Sequence, residues 1–339
     1  MHQLHQSPGL LAKLSGQTVI ITGAARGIGG AAAAAFNKHG ANVTIADLPQ
    51  LQETAEGLIK SLDHPERAVF MAASVMQWSE MVDVFDWTVN KFGRVDMVVA
   101  NAGIMESSPV LDMQIDERGR PMESKEALDV FDVNLRGALN SEFDIWPLGH
   151  VYHQQTGMLI YFSRPALRLG LHYVGKNPLR DEDGAGDAGS RGSVTLVAST
   201  SGYFGSTGNA AYVASKHGMV GLLRASQKKA AALGIRVNAV APCHTPTHIT
   251  SGFDNDDMVQ SGLEMNTPEM VGVAIAHAAV DDMRRGTTCL VAGKYLRELE
   301  DTRESLFPEW LGSDLTDALS QHGQYLKSIG GYRLPPKPS

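Results

Sequence analysis

Short β-branched runs alternate with alanine-rich stretches along most of the chain, and this alternation constrains the fold more than any other feature. It is typical of βαβ units, in which crossover helices join parallel strands. Because the runs are apolar on both faces, we expect strands buried between two layers of helices. Seven strands are predicted, at residues 18–22, 42–46, 68–72, 97–100, 194–198, 237–240 and 288–291. The predicted fold is an α/β fold built on a doubly wound parallel sheet.

The 339 residues would suggest two domains at roughly 150 residues each. The strand pattern instead predicts a single catalytic domain over residues 14–293, followed by a C-terminal extension over 294–339. Two segments interrupt the rhythm and are interpreted as insertions, at 114–121 and 157–192. The second lies before the fifth strand and ends in a stretch rich in glycine and acidic residues, which has little capacity to bury surface.

Charge and cysteine content exclude several classes of protein. With 29 basic and 37 acidic residues the formal net charge is −8, so we expect neither a nucleic acid nor an anionic membrane as partner. Two cysteines exclude a disulfide scaffold and indicate a reducing compartment. No apolar run approaches about 20 residues, and the first 15 residues lack the layout of a signal peptide. The expected location is therefore the cytoplasm.

A glycine-rich turn, TGAARGIG, directly follows the first predicted strand. Glycines at such a strand-to-helix turn let backbone N–H groups approach a pyrophosphate at the helix N-terminus. The spacing is G-x-x-x-G-x-G, and the alternative is a plain strand-to-helix turn. The turn predicts a Rossmann-type dinucleotide site formed by Gly23, Ala25, Arg26, Gly27, Ile28 and Gly29.

Asp47, followed by Leu48, closes the second predicted strand. A carboxylate at this point can bind the ribose hydroxyls of the adenosine and repel a 2′-phosphate. Alternatively Asp47 caps the helix that follows Pro49. Arg26 could instead meet a 2′-phosphate, but Asp47 would lie at the hydroxyls themselves. We therefore expect NAD, with NADP less favoured.

Three residues carry the chemistry of a candidate active site. Tyr212 and Lys216 are four apart on a predicted helix, so they share one face. A neighbouring ammonium stabilises a phenolate and makes tyrosine usable as an acid or base. Ser199 ends a buried strand, where its hydroxyl can point at a substrate oxygen. Each alone could be an ordinary helix pair or cap, and only their coincidence with the nucleotide turn is specific.

Together with Asn134 and Pro242, these motifs resemble the short-chain dehydrogenase/reductase superfamily in its compact form, from about Leu14 to Gly293. The resemblance implies that Tyr212 is the acid/base, that Lys216 holds the nicotinamide ribose, and that Ser199 binds the substrate oxygen. Asn134 would position a water in the proton relay. It also implies cofactor contacts from Asn101, Ala102, Gly103, Tyr212, Lys216, Pro242, Thr245 and Thr247.

Two positions depart from the family pattern. The family often has Asp-Val after the third strand, where this chain has Ser74 and Val75, so the expected adenine contact is weakened or replaced. The family's Pro-Gly after the sixth strand is Pro242-Cys243 here, which makes the path of that loop less certain. The insertions flank Asn134 around a helix that the family uses for oligomer contacts. A homodimer or homotetramer is expected, and the insertions bear on the family's usual tetramer more than on its chemistry.

The expected reaction interconverts a hydrophobic secondary alcohol and its ketone. The segment 243–266 would cover the substrate, and its apolar residues predict an apolar pocket: Ile249, Phe253, Met258, Leu263 and Met265, with Met105, Tyr203 and Phe204 nearby. The stretch Pro268–Val291 loosely resembles the 15-hydroxyprostaglandin dehydrogenase-like branch of the superfamily, and fungal dehydrogenases of secondary metabolism are a second possibility. The alternatives are an NAD-binding sensor or scaffold without turnover, and an isomerase or dehydratase. No pattern of carboxylates or cysteines completes a metal site around His244 and His248, so no metal is expected.

Overall fold

Eight strands form one sheet in the order β3-β2-β1-β4-β5-β6-β7-β8 in the computed structural model, which describes residues 8–139, 166–180, 189–205 and 208–332. The strands are β1 (Thr18–Thr22), β2 (Asn42–Asp47), β3 (Ala68–Ala72), β4 (Met97–Ala100), β5 (Gly192–Val197), β6 (Ile235–Pro242), β7 (Thr288–Ala292) and β8 (Tyr295–Glu298). The first seven are parallel, and β8 is antiparallel to β7. All seven predicted strands are confirmed, and β8 is additional.

Fourteen α-helical segments accompany the sheet in the described ranges. They are α1 (Pro8–Leu11), α2 (Gly27–Lys38), α3 (Gln52–Ser61), α4 (Trp78–Phe92), α5 (Lys125–Phe131), α6 (Gly137–Leu139), α7 (Ala166–Val174), α8 (Ser201–Phe204), α9 (Ala210–Ala232), α10 (Asn255–Gln260), α11 (Pro268–Val280), α12 (Glu300–Ser305), α13 (Phe307–Leu311) and α14 (Ser313–Ser328). A π-helical turn, Asp132–Arg136, joins α5 to α6. Short 3-10 turns lie at Ala12–Leu14, Pro49–Leu51, Pro65–Arg67 and His248–Thr250.

The core has two halves, one on each face of the sheet. On one face α2 and α11 cover the strands, with Phe36 and Ile275 fully buried. On the other face α4, α7 and α9 do so, with Phe85 and Leu223 fully buried. Both faces of the strands are therefore removed from water, which explains why the strands occur in the sequence as continuous apolar runs.

Helices α2 and α11 approach each other very closely. A Cβ on Gly272 would lie 2.6 Å from the backbone of Ala31, at the start of the five-alanine run. Small side chains at this crossing let the two backbones touch, and they hold α2 firmly against the sheet. The helix that begins at the glycine-rich turn is thus packed closely against α11 near its N-terminal half.

Helix α7 lies inside the segment 157–192, which the sequence predicts as an insertion. Its residues Leu167 and Leu169 are buried, and a Cβ on Gly170 would touch Val98 and Val194 of the sheet. This part of the segment therefore belongs to the helical layer. Residues 157–165 and 181–188 lie outside the described residues.

The other predicted additions lie at the surface or at the edge of the sheet. Segment 114–121 is a tight turn, in which Ile115 bridges Pro121 and Arg120 pairs with Asp116. The predicted extension, 294–339, contributes β8 and the helices α12 to α14. None of the helices in the described ranges is long and apolar enough to cross a membrane.

Candidate active site

The glycine-rich turn after β1 interlocks with the loop after β4. Gly23 has a φ of +66°, and a Cβ there would lie 2.7 Å from the Cα of Ala102. A Cβ on Gly29 would lie 2.2 Å from the carbonyl oxygen of Gly23. The Asn101 amide nitrogen donates at 2.9 Å to the carbonyls of both Thr22 and Gly23. Side chains are excluded at both glycines, so backbone lines this turn.

Helix α2 begins in this turn without a side-chain cap. Its N-cap, Arg26, makes no capping hydrogen bond, and the first helical turn contains no acidic residue. The first N–H groups and the positive end of the helix dipole are therefore suited to an anion. A Cβ on Gly27 would lie 3.4 Å from the Thr247 methyl group, so Thr247 stands over the turn. Ile28 packs into the core below it. These residues fit the pyrophosphate of a dinucleotide.

Asp47 lies where the sequence predicts it, at the end of β2 beside the turn. One carboxylate oxygen accepts a hydrogen bond from the N–H of Ala25 at 2.9 Å, and the other accepts from the N–H of Leu48 at 2.8 Å. The carboxylate is thus held at the mouth of the turn, while Leu48 is exposed beside it. Neighbouring Arg26 is also exposed.

The Ser74-Val75 departure has a clear structural role. The Ser74 hydroxyl accepts a hydrogen bond from the N–H of Met76 at 3.2 Å, and its own N–H donates to Glu80 at 2.8 Å. Val75 packs against Gly137, where a Cβ would lie 3.0 Å from its methyl group. Ser74 therefore stabilises the turn that leads into α4.

Ser199, Tyr212 and Lys216 come together at the carboxyl end of β5, as the sequence predicts. Burial raises the pKa of the Tyr212 phenol, the neighbouring Ser199 side chain lowers it, and the negative charge of Glu106 raises it. The net effect on the pKa is upward, so the phenol holds its proton in this state.

The sequence predicts that the Lys216 ammonium stabilises the Tyr212 phenolate, but in the structure the ammonium is directed elsewhere. Its ammonium donates to the carbonyl of Val197 at 2.9 Å and lies 5.5 Å from the centre of the Tyr212 ring. Only 5% of Lys216 is exposed, and burial lowers its pKa to about 8. Because its charge is directed at the end of β5, Lys216 is not among the causes that set the Tyr212 pKa here.

Asn134 lies in the π-helical turn and holds the loop after β4. Its side-chain oxygen accepts from the N–H of Ile104, and its amide donates to the carbonyl of the same residue, both at 2.8 Å. The amide also donates to Ser215 at 3.0 Å, and Ser215 donates to the carbonyl of Tyr212 at 2.7 Å. A π-helical turn frees backbone carbonyls from their usual partners and often marks a functional site. The Asn134 side chain itself is fully engaged.

Gly103 explains how this loop can pass between Asn134 and Lys216. A Cβ on Gly103 would lie 3.2 Å from the Asn134 side-chain oxygen and 3.7 Å from the Lys216 ammonium. Asn134 and Lys216 therefore converge on Gly103, beside the glycine-rich turn. Two of the predicted catalytic residues thus lie next to the predicted nucleotide-binding turn.

Sequence reasoning missed Glu106, which is buried and bonded to the first turn of α9. Its two carboxylate oxygens accept hydrogen bonds from the N–H groups of Ala211 and Tyr212, each at 2.9 Å. An acid four residues from Ala102 is the only signal in the sequence. Nothing local indicates that it reaches a helix more than 100 residues away.

The loop after β6 is organised by Asn266, another residue without a sequence signal. Its amide donates to the carbonyls of Cys243 and Val291 and to the Thr245 hydroxyl, and its oxygen accepts from the N–H of Gly293 at 2.7 Å. Thr245 also donates to the Cys243 carbonyl at 2.9 Å, so its hydroxyl serves the loop. The carbonyl of Pro242 accepts from the N–H of Thr200 at 3.0 Å, which joins this loop to the segment after Ser199.

Several apolar residues expected around the substrate are exposed. More than a third of each side chain is accessible for Ile249, Phe253, Leu263 and Phe204. Tyr203 behaves differently, since its hydroxyl donates to Glu300 at 2.7 Å and contacts Thr288. Its polar end is therefore engaged by the C-terminal extension.

His244 contacts Asn255 at 3.0 Å, and no cluster of metal-ligating side chains occurs within the described ranges.

A protein-family model described as short chain dehydrogenase matches residues 17–163 and 185–257. The chain belongs to the short-chain dehydrogenase family. As a member, it is an oxidoreductase of the class that uses a nicotinamide dinucleotide.

Relatives and a solved structure agree with this assignment. The short-chain dehydrogenase/reductase prx4 of Penicillium rubens is 29% identical and covers 90% of this chain and 83% of its own. A (+)-cis,trans-nepetalactol synthase of Nepeta racemosa is 28% identical, with 80% and 86% covered. A 3-ketoacyl-(acyl-carrier-protein) reductase of Brucella melitensis, solved with NADH, has a TM-score of 0.61 and 25% identity, covering 83% of this chain and 98% of its own. The looser resemblance to 15-hydroxyprostaglandin dehydrogenase stays a prediction.

Proposed function

We propose that this short-chain dehydrogenase uses NAD to interconvert a hydrophobic secondary alcohol and its ketone, with Tyr212 as the acid/base. One observation carries the proposal. Buried Lys216 and Asn134 converge on Gly103, beside the glycine-rich turn, and the Lys216 ammonium lies 5.5 Å from the ring centre of Tyr212, whose phenol is near Ser199. A protein that merely binds a nucleotide has no need of a buried ammonium behind a phenol, because burying that charge is costly.

In the oxidative direction Tyr212 would first release its phenol proton to solvent and would then, as phenolate, accept the hydroxyl proton of the alcohol. Ser199 would donate a hydrogen bond to the same oxygen and keep it within reach of the phenol. When bound, the nicotinamide ring supplies the hydride acceptor, so that alcohol and NAD⁺ give ketone, NADH and a proton. Lys216 would turn from the Val197 carbonyl towards the cofactor ribose and stabilise the phenolate.

The preference for NAD rests on Asp47. Its carboxylate is held by the N–H groups of Ala25 and Leu48 at the end of β2, and a fixed negative charge there favours ribose hydroxyls over a 2′-phosphate. Affinities for NAD⁺ and NADP⁺ measured by calorimetry test this. We expect NAD⁺ to bind at least about tenfold more tightly, and Asp47→Ala to reduce that ratio. Tighter binding of NADP⁺ to the unaltered protein would refute the preference.

The substrate class rests on the exposed apolar side chains of the segment 243–266, chiefly Ile249, Phe253 and Leu263. Their exposed surface would be removed from water by a bulky apolar substrate. The candidate substrates are therefore a panel of hydrophobic secondary alcohols, with small polar alcohols as the comparison.

The test of the reaction is NADH absorbance with that panel. We expect Tyr212→Phe to lower turnover by at least about a hundredfold. The matched control is Tyr173→Phe, which removes a hydroxyl bonded to Asp86 on α4, outside the site. Turnover that survives in Tyr212→Phe would contradict the mechanism.

The alternatives predict different results in the same assay. A sensor or scaffold would bind NAD⁺ and release no NADH with any alcohol. An isomerase or dehydratase would convert its substrate without a net change in NADH, and the relative named as a nepetalactol synthase makes this the stronger alternative. Product analysis by mass spectrometry separates the two.

A further inference from the structure

The first turn of α9 is capped by a residue from a distant loop. The local N-cap, Asn209, makes no side-chain capping bond. Instead both oxygens of Glu106 are used, one for the N–H of Ala211 and one for the N–H of Tyr212. Glu106 is only 7% exposed, so this contact is part of the interior. A carboxylate at a helix N-terminus is stabilised by the N–H groups and by the helix dipole.

The loop that carries Glu106 is held at its other end by Asn134. Asn134 binds both the N–H and the carbonyl of Ile104, two residues before Glu106. Asn134 also reaches Ser215, whose hydroxyl donates to the carbonyl of Tyr212. The backbone of Tyr212 is therefore fixed at its N–H by Glu106 and at its carbonyl by Ser215.

We propose that Glu106 is a positioning residue for the dehydrogenase reaction, which fixes the backbone of Tyr212 and places a negative charge at the first turn of α9. The proposal rests on the proposed function of Tyr212 as acid/base. It assigns to Glu106 an effect on the reaction through Tyr212, without contact to substrate or cofactor.

The groups that act on the phenol can be named. Among the described residues they are Glu106 from the loop after β4 and Ser199 from the end of β5, while the Lys216 ammonium of α9 lies 5.5 Å from the ring centre and does not set the pKa in this state. Glu106 opposes ionisation of the phenol, whereas the ammonium of Lys216 favours it when turned towards the ring.

Glu106→Gln tests the proposal, because it removes the charge and leaves a single side-chain oxygen to accept from the two N–H groups of Ala211 and Tyr212. The phenolate absorbance of Tyr212 is obtained as the difference between each protein and its Tyr212→Phe counterpart, which requires no turnover. We expect the ionisation midpoint of Tyr212 to fall by about half a pH unit to one pH unit in Glu106→Gln. We also expect kcat to fall about tenfold, with the KM for NAD⁺ within about twofold of the unaltered enzyme.

Glu126→Gln is the matched control. Glu126 likewise accepts hydrogen bonds in this region, from the N–H of Ser107 at 2.5 Å and the hydroxyl of Ser108 at 2.9 Å, but it is not bonded to α9. We expect neither the Tyr212 midpoint nor kcat to change in Glu126→Gln. An equal change of the midpoint in both variants would overturn the proposal.

Glu106→Asp separates charge from geometry and serves if Glu106→Gln does not fold. It keeps the charge but is one methylene too short to reach both N–H groups, so we expect a wild-type midpoint with a lower kcat. A midpoint unchanged in Glu106→Gln, or a kcat in Glu106→Asp equal to that of the unaltered enzyme, would refute the proposal. If the unaltered enzyme shows no turnover but the midpoint moves, the proposed reaction fails while the coupling of Glu106 to Tyr212 stands.

Discussion

Replacing Lys216 by methionine should stabilise the fold while removing activity. Lys216 is 5% exposed, and burial lowers its pKa from 10.5 to about 8. The unfolded chain therefore binds this proton more tightly than the folded chain does. Below about pH 8 both states are protonated and the full cost of the buried charge is present. As pH rises from about 8 to about 10.5, folding stability recovers by about 3 kcal/mol, because each tenfold difference in proton affinity corresponds to about 1.4 kcal/mol.

The measurement is the free energy of unfolding in urea for both proteins, from about pH 7 to about pH 10. Lys216→Met loses the hydrogen bond to the Val197 carbonyl at every pH, which gives a constant offset. The advantage of the methionine variant over the unaltered protein should shrink by about 2 to 3 kcal/mol across this range. Other titrating groups cancel in this difference.

Lys91→Met is the control, because Lys91 is exposed in the last turn of α4. The difference in the free energy of unfolding between Lys91→Met and the unaltered protein should stay constant with pH. If the Lys216→Met difference is equally constant, within about 0.5 kcal/mol, the buried-ammonium reasoning is wrong.

Two further predictions concern the glycine-rich turn and the cysteines. Gly29→Ala should lower the free energy of unfolding by more than about 2 kcal/mol and abolish dinucleotide binding, since its methyl group would lie 2.2 Å from the Gly23 carbonyl. Gly30→Ala is the control, because a Cβ there would lie 3.4 Å from the nearest atom, a methyl group of Leu58. Thermal unfolding measures stability and calorimetry measures dinucleotide binding. Equal losses of stability and binding in both variants would contradict the steric explanation. A thiol reagent at neutral pH should label Cys243, which is partly exposed, and spare Cys289, which is buried and whose pKa is raised to about 12. Rapid labelling of both thiols, followed by mass spectrometry, would refute this.

The parallel sheet could be predicted because its signal is local. Each of the strands β1 to β7 is a short apolar run bounded by polar or glycine-rich turns. Strand β8 has the sequence YLRE, and its two charged residues suit an edge strand that carries no buried pattern. Helix α7 falls within a predicted insertion because the stretches before and after it interrupt the alternation. Its place in the core is set by the contact of Gly170 with the sheet.

The residues of the candidate site likewise include some that the sequence could predict and some that it could not. Ser199, Tyr212 and Lys216 could be found because residue type and spacing carry their chemistry. Glu106 and Asn266 could not, since their roles are hydrogen bonds to backbone groups far away in the chain. The orientation of Lys216 towards Val197 and of Tyr203 towards Glu300 is likewise decided by tertiary packing.

Strand β8 has a consequence for how this sheet meets other chains. It lies antiparallel on β7 and occupies the hydrogen-bonding groups that would otherwise face outward at that end of the sheet. In the described part of the chain, β8 itself is the outer strand there, and it is only four residues long. A short, charged outer strand resists pairing with a second sheet. The chain thus protects its own sheet from edge-to-edge growth, and removing residues beyond Gly293 would expose β7 as a template for aggregation.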